Sequence, residues 1–329
     1  MRAPAAVLVA AAAWAAGHAP AGDVAIERHP DRADVTIDGE PFTSYLFTGR
    51  RKPILFPIIG PAGVGLTRQW PMVKDVVGEP HDHPHHESLW FMHGRVNGHD
   101  FWTSSPDAVK AADRDGPRVE QTALRIGGGG AEATIESENR WVLGDGTVVC
   151  TDERRLAFAG DDAARTIDVA ITIRADHGAV TFGDTKEGTM ALRVHPALQV
   201  KDAHASRGAA GRITDSEGRR DADVWGKAAR WVDYSGPVEG SVQGVAILDH
   251  PANLRHPTRW HARDYGLVAA NPFGLHDFAG APAGSGDHVI PAGECLTLRY
   301  RVILHRGDAE AARIADRWRA WTETSERRP

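Results

Sequence analysis

The alternation along Thr166–Arg174 constrains this chain more than any other feature. Ile167, Val169, Ile171 and Ile173 fall on one face, and Thr166, Asp168, Thr172 and Arg174 on the other. Successive side chains of a strand point to opposite faces, so the segment is a strand with one face in a core. Upstream, Ala133–Val142 turns at Asp145-Gly146 into Val148–Phe158, and Asp161-Asp162 leads on to residue 166, so residues 131–174 read as a meander. Val24–Arg28, Asp34–Asp38 and Phe42–Phe47 are further strands. So are Ala179–Phe182, Thr189–Val194, Val242–Asp249, Gly266–Ala270 and Cys295–His305. Gly127–Gly130 lacks the Lys-Ser/Thr of a phosphate loop and reads as a plain loop. One helix is expected, at the C terminus, capped by Asp308 with Ile314, Trp318 and Trp321 along one face. Strands without alternating helices predict an all-β fold, a large antiparallel β-sandwich with a short C-terminal helix.

The 329 residues carry a net charge of -6, which excludes a basic nucleic-acid binder. Arg2, the apolar run Ala5–Ala16 and the small-x-small site Ala19-Pro20-Ala21 read as an export signal over residues 1–21. No other stretch approaches the ~20 apolar residues that span a bilayer. The expectation is a periplasmic or secreted protein, off the membrane once the signal is cleaved, with residues 22–329 forming a single domain. Cys150 and Cys295 are open to bridging or to remaining free thiols.

Histidine is the unusual component. Of 17 His, six lie between 81 and 99, in a segment that begins His81-Asp82-His83-Pro84-His85-His86-Glu87. Imidazole is both the neutral-pH proton carrier and the commonest metal ligand. An extended segment places His81, His83 and His85 on one side and Asp82 and His86 on the other, and Pro84 directs it to an edge or a loop crossing a cleft. As metal ligands, His83, His85, His86 and His93 suit a divalent ion; as acid–base groups they suit a hydroxylated substrate; otherwise the tract is a self-bonded loop. Trp70, Trp90, Phe91, Phe101 and Trp102 bracket them, offering ring faces to sugars or to a core.

Several motifs together resemble the PmoA ("methane oxygenase") family of exported bacterial proteins. They are Lys52-Pro53 through Gly60-Pro61-Ala62-Gly63, Asp82–His86, Leu89–Gly94, Asn97–Trp102, Thr185–Gly188, Trp231–Tyr234, Asn253–Pro257, Trp260-His261 and Asn271–Gly274. The resemblance covers nearly all of the chain after the signal and implies a galactose-mutarotase-like sandwich linked to polysaccharide breakdown. It adds Arg68, Lys186, Glu187, Arg193, Asn253, Arg255, His261 and His276 as candidates. Glu87 stands where the family pattern leads one to expect Arg.

Three functions follow as expectations. The first is a carbohydrate-processing enzyme performing hydrolysis, elimination or epimerisation, with His83, His86 and Glu187 catalytic. Arg68, Trp90, His93, Asn97, Trp102, Lys186, Arg193, Asn253, Arg255 and His261 would bind substrate, with no cofactor or one divalent metal ion. The second is a non-catalytic glycan-binding sandwich protein. The third is the metal-dependent oxygenase chemistry that the family label implies. Clustered imidazoles disfavour joint protonation, so at least one should sit below ~6.5, and stability should fall as pH drops through that value.

Overall fold

The computed structural model describes residues 21–201 and 210–325, so the expected export signal lies outside it apart from Ala21. Two eight-stranded antiparallel sheets face each other. In spatial order the first runs Val24–Arg28, Arg32–Ile37, Glu40–Leu46, Ile54–Ile58, Leu89–His93, Gly188–Arg193, Leu267–Asn271 and Arg259–Ala262. The second runs Arg212–Asp215, Trp231–Val238, Ser241–Asp249, Cys295–Arg306, Ala164–Arg174, Val148–Gly160, Glu132–Val142 and Arg118–Gly129. Val180–Phe182 pairs separately with His288–Ile290. The expected all-β sandwich is thus what forms.

The meander behaves as its pattern dictates. Ile167, Val169, Ile171 and Ile173 are buried, and their alternates face outward. They join Phe42, Phe91, Trp141, Phe158 and Leu192 in one apolar core shared by both sheets. Gly127–Gly129 are not a loop but the end of a strand, paired with Glu132–Thr134. Leu89–His93 escapes the alternation test because all five residues are buried, which removes the polar half of the pattern. Cys150 is buried and Cys295 exposed, and both are free thiols.

The C-terminal helix spans Ile314–Ser325. Asp308 does not cap it: its Oδ1 accepts from Ala311 N in a preceding turn, and Arg313 at φ 55° separates that turn from the helix. Ile314 and Trp321 pack with Trp231, Ala246, Leu248 and Ile303 in a second cluster on the second sheet. Trp318 packs against that cluster and donates from Nε1 to Asp249 O at 2.9 Å.

A charged pair sits within the sandwich. Arg154 donates from Nε and Nη2 to the Asp152 carboxylate, each at 2.9 Å, with both side chains buried. Asp152 also accepts from Asn139 Nδ2 and Trp141 Nε1 at 2.7 Å each. Removing one member of a buried pair leaves an uncompensated charge, so Asp152→Ala should cost about 3–5 kcal/mol in urea unfolding. Asp152→Leu/Arg154→Met should recover most of that loss; equal destabilisation by both variants would show that the pair is not the source.

Candidate functional site

Register places the site on the face of the first sheet that points away from the shared core. Trp90 pairs with Ala191, Ala191 with Ala269, and Ala269 with His261, so these four form one row across adjacent strands. Period two puts Arg193 on that same face. Small side chains at 191 and 269 keep the middle of the row low.

Residues 80–88 cross this face as a loop, and Arg68 shapes it. The Arg68 side chain is fully buried. Its Nη1 donates to Asp82 O at 2.9 Å and Asp82 Oδ1 at 2.6 Å; its Nη2 donates to His83 O at 3.0 Å and His86 O at 3.2 Å. Burial, then the neighbouring Arg193 charge, push the Arg68 guanidinium down to about 9. From the other side, Lys52 Nζ donates to His85 O at 3.0 Å and to Glu87 Oε2 at 2.7 Å, while Arg50 holds Glu87 Oε1. Glu87 is therefore a buried anchor and not a ligand contact. The loop is consequently not extended: His83 has φ 47°, and His86 N donates to His83 O across a turn. His81 departs to stack on Trp70, and His83, His85 and His86 converge instead.

His83 lies stacked between His86, at 4.7 Å, and Tyr265, at 5.4 Å, and its side chain is 43% exposed. His83 Nδ1 is 2.6 Å from Asp82 Oδ2. Asp82 in turn accepts from Arg68 and, at 3.2 and 3.3 Å, from Arg193 Nη2. Burial opposes ionisation of Asp82, but the His83 hydrogen bond and the two guanidiniums outweigh it and hold the carboxyl well below the usual range. His86 Nδ1 faces Arg193 Nη1 at 3.1 Å. A guanidinium only donates, so this nitrogen carries the lone pair and neutral His86 keeps its proton on Nε2. Burial, then His85 and Arg193, push His86 well below its ordinary value, and burial with Lys52 pushes His85 to about 2. His86 is thus a neutral hydrogen-bond donor, without the acid's extra proton or an accessible Nδ1 for a metal.

At the rim, His261 Nδ1 donates to Lys186 O at 3.1 Å; burial, then Arg263 and Lys186, lower it to about 3. Glu187 is one-third exposed, 3.4 Å from Lys186 Nζ, and its charge raises the Tyr265 phenol further after burial has done so.

Other candidates lie elsewhere or serve the frame. His93 is buried between Phe182 and Phe273 and donates from Nε2 to Gly183 O at 2.7 Å. A Cβ at Gly188 would meet its Nδ1 at 2.3 Å, which explains that glycine. Asn97 braces a turn through Thr181 N and Ala179 O. Asn253 bonds Asp249 and the Arg299 backbone, and Arg255 bonds the carbonyls of Pro272, Gly286 and Asp287. His276 bonds Ala281 O. Trp90 and Trp102 are buried against His86, 5.3 Å from each other, and present no open face. Among the described residues no group of three His, Cys, Asp or Glu is arranged to hold a metal ion. The donor set explains why: Asp82 occupies His83 Nδ1, Arg193 occupies His86 Nδ1, and His93 is in the core. Tyr265 is the main residue that sequence reasoning missed. Its one signal is position, in the turn just after Trp260-His261.

With this geometry in place, the chain can be assigned: it belongs to a family of unknown function, DUF6807, which matches residues 32–319. No curated protein matches it by sequence. Among solved structures it is similar to a beta-arabinopyranosidase (9% identity, TM-score 0.31), covering 86% of this chain and 38% of that one. It is also similar to a galactose mutarotase related enzyme from Lactobacillus acidophilus (8%, TM-score 0.33), covering 86% and 97%. A third is a glycoside hydrolase family 97 enzyme variant from Pseudoalteromonas sp. strain K8 (8%, TM-score 0.32), covering 86% and 34%.

The lowered histidines make stability depend on pH. Unfolded, His85, His86, His93 and His261 take up protons near ~6.5; folded, they resist until much lower pH. The unfolded chain then binds more protons, so stability should be full above ~6.5 and fall as pH drops below it, by up to ~1.4 kcal/mol per pH unit for each group. His85→Phe should flatten the slope of urea-unfolding free energy between pH 6 and 5 by about one such increment. An unchanged slope would mean that His85 is solvated.

Proposed function

We propose that this chain is an exported carbohydrate-processing enzyme in which His83 is the proton-transfer group. The observation that carries the reading is the Asp82–His83 pair: a half-exposed imidazole bonded at Nδ1 to a carboxylate that two buried guanidiniums hold in place. Asp82 holds the Nδ1–H tautomer, leaving Nε2 to take a proton from a sugar hydroxyl, water or an acidic C–H. The carboxylate then stabilises the imidazolium, and Arg68 and Arg193 keep it from turning away. His86, with its proton on Nε2, and the Tyr265 hydroxyl are donors for a substrate oxygen. Glu187, at the rim, is the second carboxylate. Hydrolysis, elimination and epimerisation all begin with such a transfer. A glycan-binding platform gains less support, because Trp90 and Trp102 lie beneath the histidines.

His83→Asn is the sharpest test, since Asn tolerates the left-handed backbone at this position. It should lower turnover about 10²–10⁴-fold, with unchanged circular dichroism and melting. Asp82→Asn should lose turnover as well. Activity is read by chromatography of products from a glycan panel; full turnover by His83→Asn would overturn the assignment. Export is part of the same proposal, and protein recovered from periplasm or medium should begin at Gly22.

A further inference from the structure

Four cations surround the His83–Tyr265 stack, and they are not equally occupied. Arg68 and Arg193 share Asp82. Lys186 lies 3.4 Å from Glu187. Arg263 is half-buried and stands 5.5 Å from the Tyr265 ring centre. Its backbone is held: the amide donates to Leu267 O, and the carbonyl accepts from Tyr234 at 3.0 Å. Its guanidinium has no hydrogen-bond or ion-pair acceptor among the described residues. Asp264, its neighbour in the chain, is engaged by Lys201 at 2.8 Å, and Glu187 lies 3.4 Å from Lys186.

A guanidinium lying over an aromatic ring, with its fork of N–H donors uncommitted, is available to a planar or tetrahedral oxyanion. Arg68 has both Asp82 and Glu79 as carboxylate partners and Lys186 has Glu187, whereas Asp264, bonded to Lys201, acts on Arg263 only through space. The nearby imidazoles add no counter-charge. Arg263 and Lys186 both disfavour protonation of His261. An anionic sugar would give the Arg263 guanidinium the hydrogen-bond acceptor that the described residues do not supply.

Resting on the enzyme reading above, we infer that the sugar taken by this cleft is anionic, its carboxylate or sulfate group gripped by the Arg263 guanidinium at the Tyr265 rim while His83 addresses the sugar. Lys186 adds attraction from the same side without a committed bond, because Glu187 partly neutralises it. Arg263 is thus a specificity-determining residue, distinct from the Arg68 and Arg193 groups that position Asp82.

The imidazole signals of His83, assigned by their loss in His83→Asn, provide the test. Wild-type protein is titrated at constant ionic strength with glucuronate, galacturonate, glucose 6-sulfate, glucose and galactose, and binding is read from His83 shifts by NMR. At least one anionic sugar should saturate about tenfold or more tighter than its neutral counterpart, and Arg263→Gln should bring that ratio close to one. Which anion binds separates carboxylate from sulfate. Arg155→Gln, on the outer face of the second sheet, removes the same unit of charge and should preserve the ratio. Absence of saturable shifts with all three anions, or a ratio that survives Arg263→Gln, overturns the inference. An anion preference without turnover of any sugar would remove the enzyme reading alone; turnover without preference would remove this inference alone.

Discussion

The guanidinium of Arg68 is the point about which the candidate site is organised. Burying a charge costs several kcal/mol unless hydrogen bonds replace the lost water. Here the replacement comes from one short stretch of chain: the carbonyls of Asp82, His83 and His86 and the Asp82 carboxylate. The loop therefore curls around the cation, and the curl brings His83, His85 and His86 into one cluster. The same enclosure that strips water from Arg68 strips it from the imidazoles, which is why His85 and His86 are held neutral. Arg193 depends on this arrangement too, since the Asp82 carboxylate relieves its repulsion with Arg68.

The two sheets divide the work of the fold. The second carries the long regular meander, the C-terminal helix and the second apolar cluster on its outer face. The first has middle strands, Leu89–His93, Gly188–Arg193 and Leu267–Asn271, that are short and buried on both sides, with the histidine loop over the row from Trp90 to His261. Ala191 and Ala269 in that row have little side chain of their own, so the cover must come from elsewhere, and both are fully buried. The candidate site and the helix-bearing cluster thus lie on opposite outer faces of one sandwich.

Much of this was legible in the sequence, for definite reasons. Thr166–Arg174 shows its strand because one face is solvated; Leu89–His93 hides its own because neither is. The crowding of histidines marked the segment that forms the candidate site, but an extended geometry misplaced His81, since Arg68 lies outside the segment and dictates its curl. His93 illustrates a different limit. It belongs to the same run of letters, yet it falls on the core side of a strand, where its Nε2 bonds one carbonyl and its Nδ1 is buried without a partner. Asn97, Asn253 and Arg255 are polar residues with exacting backbone partners, a role that residue type alone does not separate from ligand binding. Tyr265 and Arg263 acquire their meaning only when the turn after residue 262 is folded against His83, some 180 positions earlier.

His83 and Ser88, at φ 47° and 58°, both occupy the left-handed region without being glycine. Each departure costs roughly 1–2 kcal/mol relative to a relaxed backbone. His83 lies within the loop and Ser88 at its end, and the grip of Arg68 and Lys52 keeps it from relaxing. The strain is settled when the chain folds, before any ligand arrives. A ligand reaching His83 would meet an imidazole already held in place, so its binding free energy need not be diverted into shaping the loop.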